Sequence, residues 1–455
     1  MAEEGRSGDG ATDDSHRKRD GVDLISLLPD EILQTILSSL ETFIAVRTSI
    51  LSKRWRHVWS GTPSLYLNLY THGPEGDSIN NFIERYTVRK MMSFELWAHL
   101  RDKRPYVDRW IEFAMSRNVE NMTLFVFNDG DQKYQIPDFF YINNSIRKIS
   151  VNGLYSGLTI PSYVSWTSLK MLALRNFSLY DECIDKIISG CPVLESLSLS
   201  FCLELMVLDL SKSLSLRTLE IYRQTWFQGP KQIVAPHIRC LRLKDSQLPC
   251  TLVDVSSLNE ARLDICFYGP ENPKDDFLQV MGLEKLQNVE KLTFRENFLK
   301  ILSLAELRCV PFPSFKVKNL TLVTMISQYV IPGIVRVLQN SPELKKLTII
   351  HTSELYIPYS PLSEKHIDTY LDLQSLSVEA RVFENIRDWD IESKHVASFM
   401  ELMFKNTKTL EKMVVWLKSY DHGRISAELF EMIPVLSEKN NVTIVLNSSA
   451  SKPRD

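Results

Sequence analysis

From Leu24 to Trp59 apolar residues recur at three- and four-residue steps: Leu27, Leu28, Ile32, Leu33, Ile36, Leu37 and Leu40, with Pro29 where a first helical turn tolerates it. The spacing predicts one amphipathic helix. A second is predicted behind it, with Ala45, Val46, Ile50, Leu51, Trp55, Val58 and Trp59 set among Lys53, Arg54 and Arg56. So short a segment cannot bury this much leucine and tryptophan alone, since small domains bury only about 60% of their unfolded surface. The surplus apolar face implies a partner.

Beyond about residue 90 a different order takes over. The pattern L-x-x-L-x-L, with other apolar residues allowed at its fixed places, occurs at Val119-Met122-Leu124, Ile146-Ile149-Val151, Leu169-Leu172-Leu174, Leu194-Leu197-Leu199, Leu216-Leu219-Ile221 and Ile238-Leu241-Leu243. It continues at Leu258-Ala261-Leu263, Val289-Leu292-Phe294, Val317-Leu320-Leu322, Leu344-Leu347-Ile349, Leu373-Leu376-Val378 and Leu410-Met413-Val415. Successive starts lie 20 to 37 residues apart, bracketing the leucine-rich-repeat period of roughly 20 to 29. Each unit predicts a short strand with its leucines inward and a return path on the outer surface. Helical returns are predicted where Val107, Trp110, Ile111 and Ala114 share a face, likewise Ile184, Ile187 and Ile188, then Ile334, Val335 and Leu338, then Val396, Phe399, Met400 and Met403. Between Leu194 and Leu263 the starts close up, and Gly229-Pro230, Pro236 and Pro249 interrupt the chain, so extended or single-turn returns are expected there. The expected fold class is α/β: an N-terminal helix cluster, then an irregular solenoid with parallel strands on its concave face and helices or loops on its convex face.

The run Leu27-Leu28-Pro29-Asp30-Glu31-Ile32-Leu33, with Val46-Arg47-Thr48-Ser49-Ile50-Leu51-Ser52-Lys53-Arg54-Trp55-Arg56 and Trp59, resembles the plant F-box. Leu65 to Leu69 resembles the first strand, and Val107 to Ile111 the first outer helix, of the leucine-rich-repeat branch of that family; Phe399 to Trp416 is similar to its C-terminal FBD region. The resemblance implies a substrate-recognition subunit of an SCF-type ubiquitin ligase, in which the F-box docks on a Skp-family adaptor, and through it a cullin, while the repeats hold a protein target. By position the docking surface would include Leu27, Leu28, Pro29, Ile32, Leu33, Ile36, Val46, Leu51 and Trp55, with Ile36 and Trp55 serving either docking or the small internal core. The division implied is a disordered tail over 1–21, an F-box over 22–62, the solenoid over 63–390, an FBD-like cap over 391–447 and a second tail over 448–455. A plain repeat scaffold whose N-terminal helices merely cap the array is the alternative.

Composition narrows the field. Net charge is -3, with 44% hydrophobic and 24% charged residues, so overall charge draws the chain to neither nucleic acid nor anionic membrane. No apolar run reaches the roughly 18 residues that would cross a bilayer, and no secretory leader opens the chain, so a soluble protein of the nucleus or cytoplasm is expected. The 7 cysteines include no C-x-x-C pair and are expected as buried apolar residues in a reducing compartment. Catalytic signatures are absent: Gly153-Leu154-Tyr155-Ser156-Gly157 misplaces the serine of a nucleophile elbow, and the 9 histidines are scattered without a ligand-like pair. Neither enzyme, metal nor cofactor is expected. Cys240, between Arg239 and Arg242, is a candidate for a reactive thiol and is expected to be an ordinary strand residue.

Alternation along the strands places Arg175, Tyr222, Arg242, Lys244, Arg262, Lys291, Arg295 and Lys346 on the open face of the sheet, against Glu220, Glu260 and Asp264. That face reads as a target-binding surface of mildly basic character, suited to an acidic or phosphorylated segment or to an anionic small ligand such as an inositol phosphate. A merely solvated charged face is the other reading. Trp226, near Tyr222, is a further candidate aromatic anchor.

Overall fold

The computed structural model describes residues 24–25, 27–69, 76–99, 104–127, 134–157, 160–223, 230–247, 250–266, 278, 281–352, 367, 369, 392–417 and 424–448. The expected N-terminal tail, Trp226 and the Leu373-Leu376-Val378 unit lie outside the described residues.

The chain opens with α1 (Asp30–Leu37), α2 (Thr42–Arg47) and α3 (Trp55–Val58), followed by a 3-10 turn at Trp59–Gly61. Pro29 stands just outside α1, at its N-cap, and Asp30 and Glu31 occupy the first turn, where the helix dipole favours acids. The second predicted helix is broken. After α2 the chain tightens into a 3-10 turn at Thr48–Ile50, and α3 begins only at Trp55, whose N–H reaches Ser52 Oγ at 3.4 Å. The intervening Arg54 turns back to α1: its guanidinium bonds Asp30 Oδ1 and the Leu28 carbonyl. A continuous helix would carry that side chain away from both.

One parallel sheet of 14 strands runs through the rest of the described chain, each strand hydrogen-bonded to the next repeat's. In order these are β1 (Ser64–Asn68), β2 (Ser93–His99), β3 (Asn121–Phe127), β5 (Lys148–Gly157), β7 (Met171–Ser178), β8 (Ser196–Ser200), β10 (Thr218–Tyr222), β12 (Cys240–Gln247), β14 (Glu260–Cys266), β15 (Lys291–Arg295), β16 (Asn319–Thr324), β17 (Lys346–His351), β18 (Lys412–Leu417) and β19 (Thr443–Ser448). Register is constant through the inward pairs, with shifts only beyond them, after Asn152 and after Leu243. Leu172 pairs with Leu197, Leu197 with Leu219 and Leu219 with Leu241, so every inward leucine sits above the one before. Strand β17 pairs directly with β18. Ser448, expected in a tail, is the last residue of β19.

The four predicted return helices are present, at Arg104–Ser116, Asp181–Gly190, Ile331–Gln339 and Ser393–Lys405, each with its predicted apolar face buried. In the middle the returns are extended, as the prolines indicated. They pair into a second parallel sheet of β9 (Val207–Asp209), β11 (Gln232–Val234) and β13 (Thr251–Asp254). Two further strands, β4 (Ile142–Asn143) and β6 (Ser165–Trp166), pair beneath Phe140, Tyr141 and Trp166, whose rings pack at 5.5–5.6 Å. The result is the expected α/β solenoid, whose parallel sheet does not close into a barrel.

Candidate functional site: two surfaces

The N-terminal helices sort their apolar residues into two sets. Leu33, Leu37, Ala45, Trp55, Val58 and Trp59 are buried together. Trp59 stacks on Phe82 of the Gly76–Glu84 helix at 4.7 Å, and Thr42 Oγ1 accepts the Tyr66 N–H at 2.7 Å, so the cluster is fastened to the first repeat. The second set faces outward. Leu27 is 71% exposed, Leu51 64% and Ile50 85%, with Ile32, Ile36 and Ile44 each about half exposed. Ile32 and Ile36 lie four apart on α1, one turn above the other and turned away from Leu33 and Leu37.

Of the residues expected to dock, Leu27, Pro29, Ile32, Ile36 and Leu51 are exposed, and Leu28 and Val46 are half-buried. The expectation is corrected at Leu33, which is fully buried; Trp55, left between docking and the core, is 9% exposed and belongs to the core. Both face the internal core, where α1 packs against α3. Ile36, left between the two roles, lies outside. Sequence reading missed Leu24, Ile25, Ile44 and Ile50, all exposed. Periodicity marks apolar residues but not which of two opposite apolar faces is covered.

The open face of the large sheet carries its outward residues in three rows, one before, one between and one after the inward pair of each strand. The last row runs Trp97, Phe125, Asn152, Arg175, Ser200, Tyr222, Lys244, all direct partners in register. It continues from Arg295 through Val323 and Ile350 to Trp416. Arg242 and Arg262 are direct partners in the middle row. Lys291 and Lys346 fall in the first row, and Lys346 pairs in register with Lys412. The structure therefore gathers Tyr222, Arg242, Lys244, Arg262 and Arg295, puts Arg175 three strands away in the same row, and sets Lys291 and Lys346 apart.

Aromatic rings hold the cations in place. The Phe201 and Tyr222 rings lie 4.6 Å apart, Arg175 sits 5.8 Å over Phe201, and Lys244 Nζ sits 4.9 Å over Tyr222. Phe201 has φ 54°, a left-handed conformation that costs a bulky residue on the order of 1–2 kcal/mol. Further along, Trp97 stacks on Phe125 at 4.2 Å and donates its indole N–H to Glu95 at 2.6 Å. Neither Trp97 nor Phe125 was singled out from the sequence. Met91-Phe94-Leu96 fits the repeat pattern and would have turned Trp97 outward.

Acids temper the basic face. Arg262 pairs with Glu260 at 3.1 Å and Arg295 with Asp264 at 3.0 Å. Asp264 is corrected from an exposed acid to a buried one, 4% exposed in its row. Burial raises its carboxyl to about 6; Arg295 pulls it down and Asp245 pushes it further up. Tyr222 is raised by burial and then by Asp245. Among the described residues no carboxylate pairs with Arg175, Arg242 or Lys244. In the middle row Arg242 stands in register between Glu220 and Arg262, and Arg262 keeps Glu260. Cys240 opens β12, and burial, then Glu260, raises its thiol, the reverse of what a nucleophile needs.

Comparison with known proteins now fits this geometry. The F-box domain model matches residues 25–66, and the model for the At1g61320/AtMIF1 LRR domain matches residues 86–269. F-box/LRR-repeat protein At3g03360 of Arabidopsis thaliana is 50% identical over 96% of this chain and 93% of its own length. This chain belongs to the F-box/LRR-repeat family. The putative F-box/LRR-repeat protein At3g18150, 50% identical over 95% of the chain and 94% of its length, and F-box/LRR-repeat protein At5g02910, 47% identical over 95% and 96%, are from the same plant. The outward apolar residues of α1 to α3 thus lie within the matched F-box, and the sheet face from β2 to β14 within the matched leucine-rich-repeat domain. Among the described residues no helix is long and apolar enough to cross a membrane.

Proposed function

We propose that this F-box/LRR-repeat protein is the non-catalytic substrate-recognition subunit of an SCF-type ubiquitin ligase. Its F-box docks on a Skp-family adaptor, and through it on a cullin, while the sheet face holds the protein to be modified. One observation carries this reading. An apolar surface formed by Leu27, Ile32, Ile36, Ile44, Ile50 and Leu51 stands open on a helix cluster whose own core is already filled by Leu33, Leu37, Trp55 and Trp59. Leaving it in water would forgo about 25 cal/mol per Å² of apolar area, which a helical adaptor recovers on docking. A mere cap for the solenoid would turn these residues inward, so the scaffold reading is the weaker one. Leu28, Pro29 and Val46 border the surface and complete it. We assign the F-box to 22–62, the solenoid to 63–390 and the FBD-like closing unit to 391–447, and place the complex in the nucleus or cytoplasm.

The test is a pull-down of the purified full chain with a plant Skp-family adaptor, beside the variant Ile50→Asp with Leu51→Asp. Both side chains are outside the core, so the variant keeps its fold by circular dichroism and loses at least tenfold in adaptor affinity. A folded chain that does not retain the adaptor would sink the ligase reading.

A further inference from the structure

We propose that the sheet face recognises a carboxylate-rich extended segment of the target, bearing an apolar residue ahead of its acids, laid across the strands along the last outward row. The inference deepens the target-binding role and rests on that part of the functional reading. The cations come first. Arg242 faces Arg262 in register, with Lys244 two residues further along the same strand. Of these three, among the described residues, Arg262 alone is in a salt bridge, with Glu260. Among the described residues Arg242 Nε has no hydrogen-bond partner, though its guanidinium lies beside the Cys240 thiol. An incoming carboxylate meets the exposed Lys244 and the Arg242 guanidinium through charge-assisted hydrogen bonds and offsets the Arg242–Arg262 contact, with Glu220 in register on the far side of Arg242.

Strain points to the same place. Phe201 adopts its left-handed backbone where the chain leaves β8, and this holds its ring against Tyr222 beneath Arg175. Backbone strain of this kind persists where the surrounding structure over-determines it, and it collects at binding surfaces. Arg175, Tyr222 and Lys244 of the row, with Phe201 just beyond Ser200, therefore form a rigid strip whose cations are fixed by rings before any partner arrives. Ordering those long side chains in advance lowers the entropic cost of binding.

Spacing sets the segment's pattern. Neighbouring strands are about 4.8 Å apart and an extended chain advances about 3.3 Å per residue. From the Trp97–Phe125 stack to Arg175 is two strands beyond Phe125, or about 10 Å, which is about three residues of peptide. From Arg175 to Lys244 is three strands, about 14 Å, or about four residues. A residue seated on the aromatic stack is thus followed by an acid three positions on and another four beyond that. Net charge of the chain is -3, so the attraction is local to this strip and not a general pull on polyanions.

The test titrates a fluorescein-labelled twelve-residue peptide, carrying leucine with glutamate three and seven positions later, against the full chain bound to its adaptor. Expected is saturable anisotropy that weakens at least tenfold when both glutamates become glutamine, when leucine becomes serine, and in the variant Arg242→Glu with Lys244→Glu. Raising salt should weaken it too. The milder Arg242→Gln with Lys244→Gln serves if the reversal fails to fold, with adaptor retention as the check on folding. Equal affinity for the glutamine peptide, indifference to the variants, or no binding at millimolar peptide overturns the proposal. Binding only when phosphoserine replaces glutamate overturns the carboxylate assignment. If the chain fails to hold an adaptor, the same titration on the free chain still decides this face, and only the ligase reading falls.

Discussion

Asp264 and Ile32 show how little a residue's type says about its surroundings. Ile32 is apolar and half exposed, while its neighbour Leu33 is fully buried, and the packing of α1 against α3 and the Trp59–Gly61 turn separates them. Asp264 is acidic and almost sealed, with Oδ2 3.0 Å from Arg295 and with Asp245 and Asn297 beside it. Its carboxyl stands at about 6 in the folded protein, raised by burial against the pull of Arg295, and near 3.9 in an unfolded chain. Below about pH 4 both states hold the proton and burial has no ionic penalty. As pH rises from 4 through 6, the unfolded chain releases the proton first and folding stability falls; above that the loss is complete. Two units correspond to on the order of 2–3 kcal/mol. Asp264→Asn, which imitates the neutral acid, should therefore raise the urea midpoint at pH 7.5 and scarcely move it at pH 4. A gain equal at both pH values, or a loss at pH 7.5, would show that the Arg295 pair outweighs burial.

Among elements, strands were the more legible. Each leucine triplet within the described residues became a strand in register with the next, because an inward pair at every repeat is what stacks the sheet. The β2 triplet Met91-Phe94-Leu96 was readable and was not read; β19 was not, since Asn441 stands where its leading leucine would be. The helix Glu296–Leu307 escaped because it is apolar nearly all round, with Phe298, Leu299, Ile301, Leu302 and Leu304 all buried, leaving no stripe for periodicity to find. The docking surface was partly legible as excess leucine, but its outward share needed the core to be seen. The same helix explains Gly333. In the facing helix Ile331–Gln339, Gly333 donates its N–H to Ser303 Oγ at 2.9 Å, and a Cβ there would lie 2.7 Å from the Ser303 backbone nitrogen. Alanine gains about 1 kcal/mol in helix propensity, yet forcing two backbones apart costs about 1–3 kcal/mol and breaks a buried hydrogen bond. Gly333→Ala should lower the denaturant midpoint. An unchanged or raised midpoint would mean that the two helices can slide apart freely.

At the scale of the whole molecule, the question is whether the F-box is a separate bead or the first turn of the solenoid. A repeat array is held by neighbour-to-neighbour contacts, and its ends must be covered. Here the cover is the F-box: Trp59 stacks on Phe82, Tyr86 donates its hydroxyl to the Thr62 carbonyl, and Thr87 N–H reaches the Ser60 carbonyl at 3.0 Å. The buried residues of the helices and of the first strands form one continuous core. Phe82 belongs by sequence to the first return, yet its ring fills space between Trp59 and Phe43 of the F-box. Phe82→Ala should cost about 3–5 kcal/mol, the usual price of emptying a phenylalanine site. Hydrogen exchange locates that cost. If the cap and the array fold as one, amides of α1 to α3 and of β1 lose protection together, while those of β15 to β17 keep theirs because coupling decays from repeat to repeat. Protection lost only in Gly76–Glu84 would mark the F-box as an independent unit, able to present its apolar surface to an adaptor whatever the solenoid does.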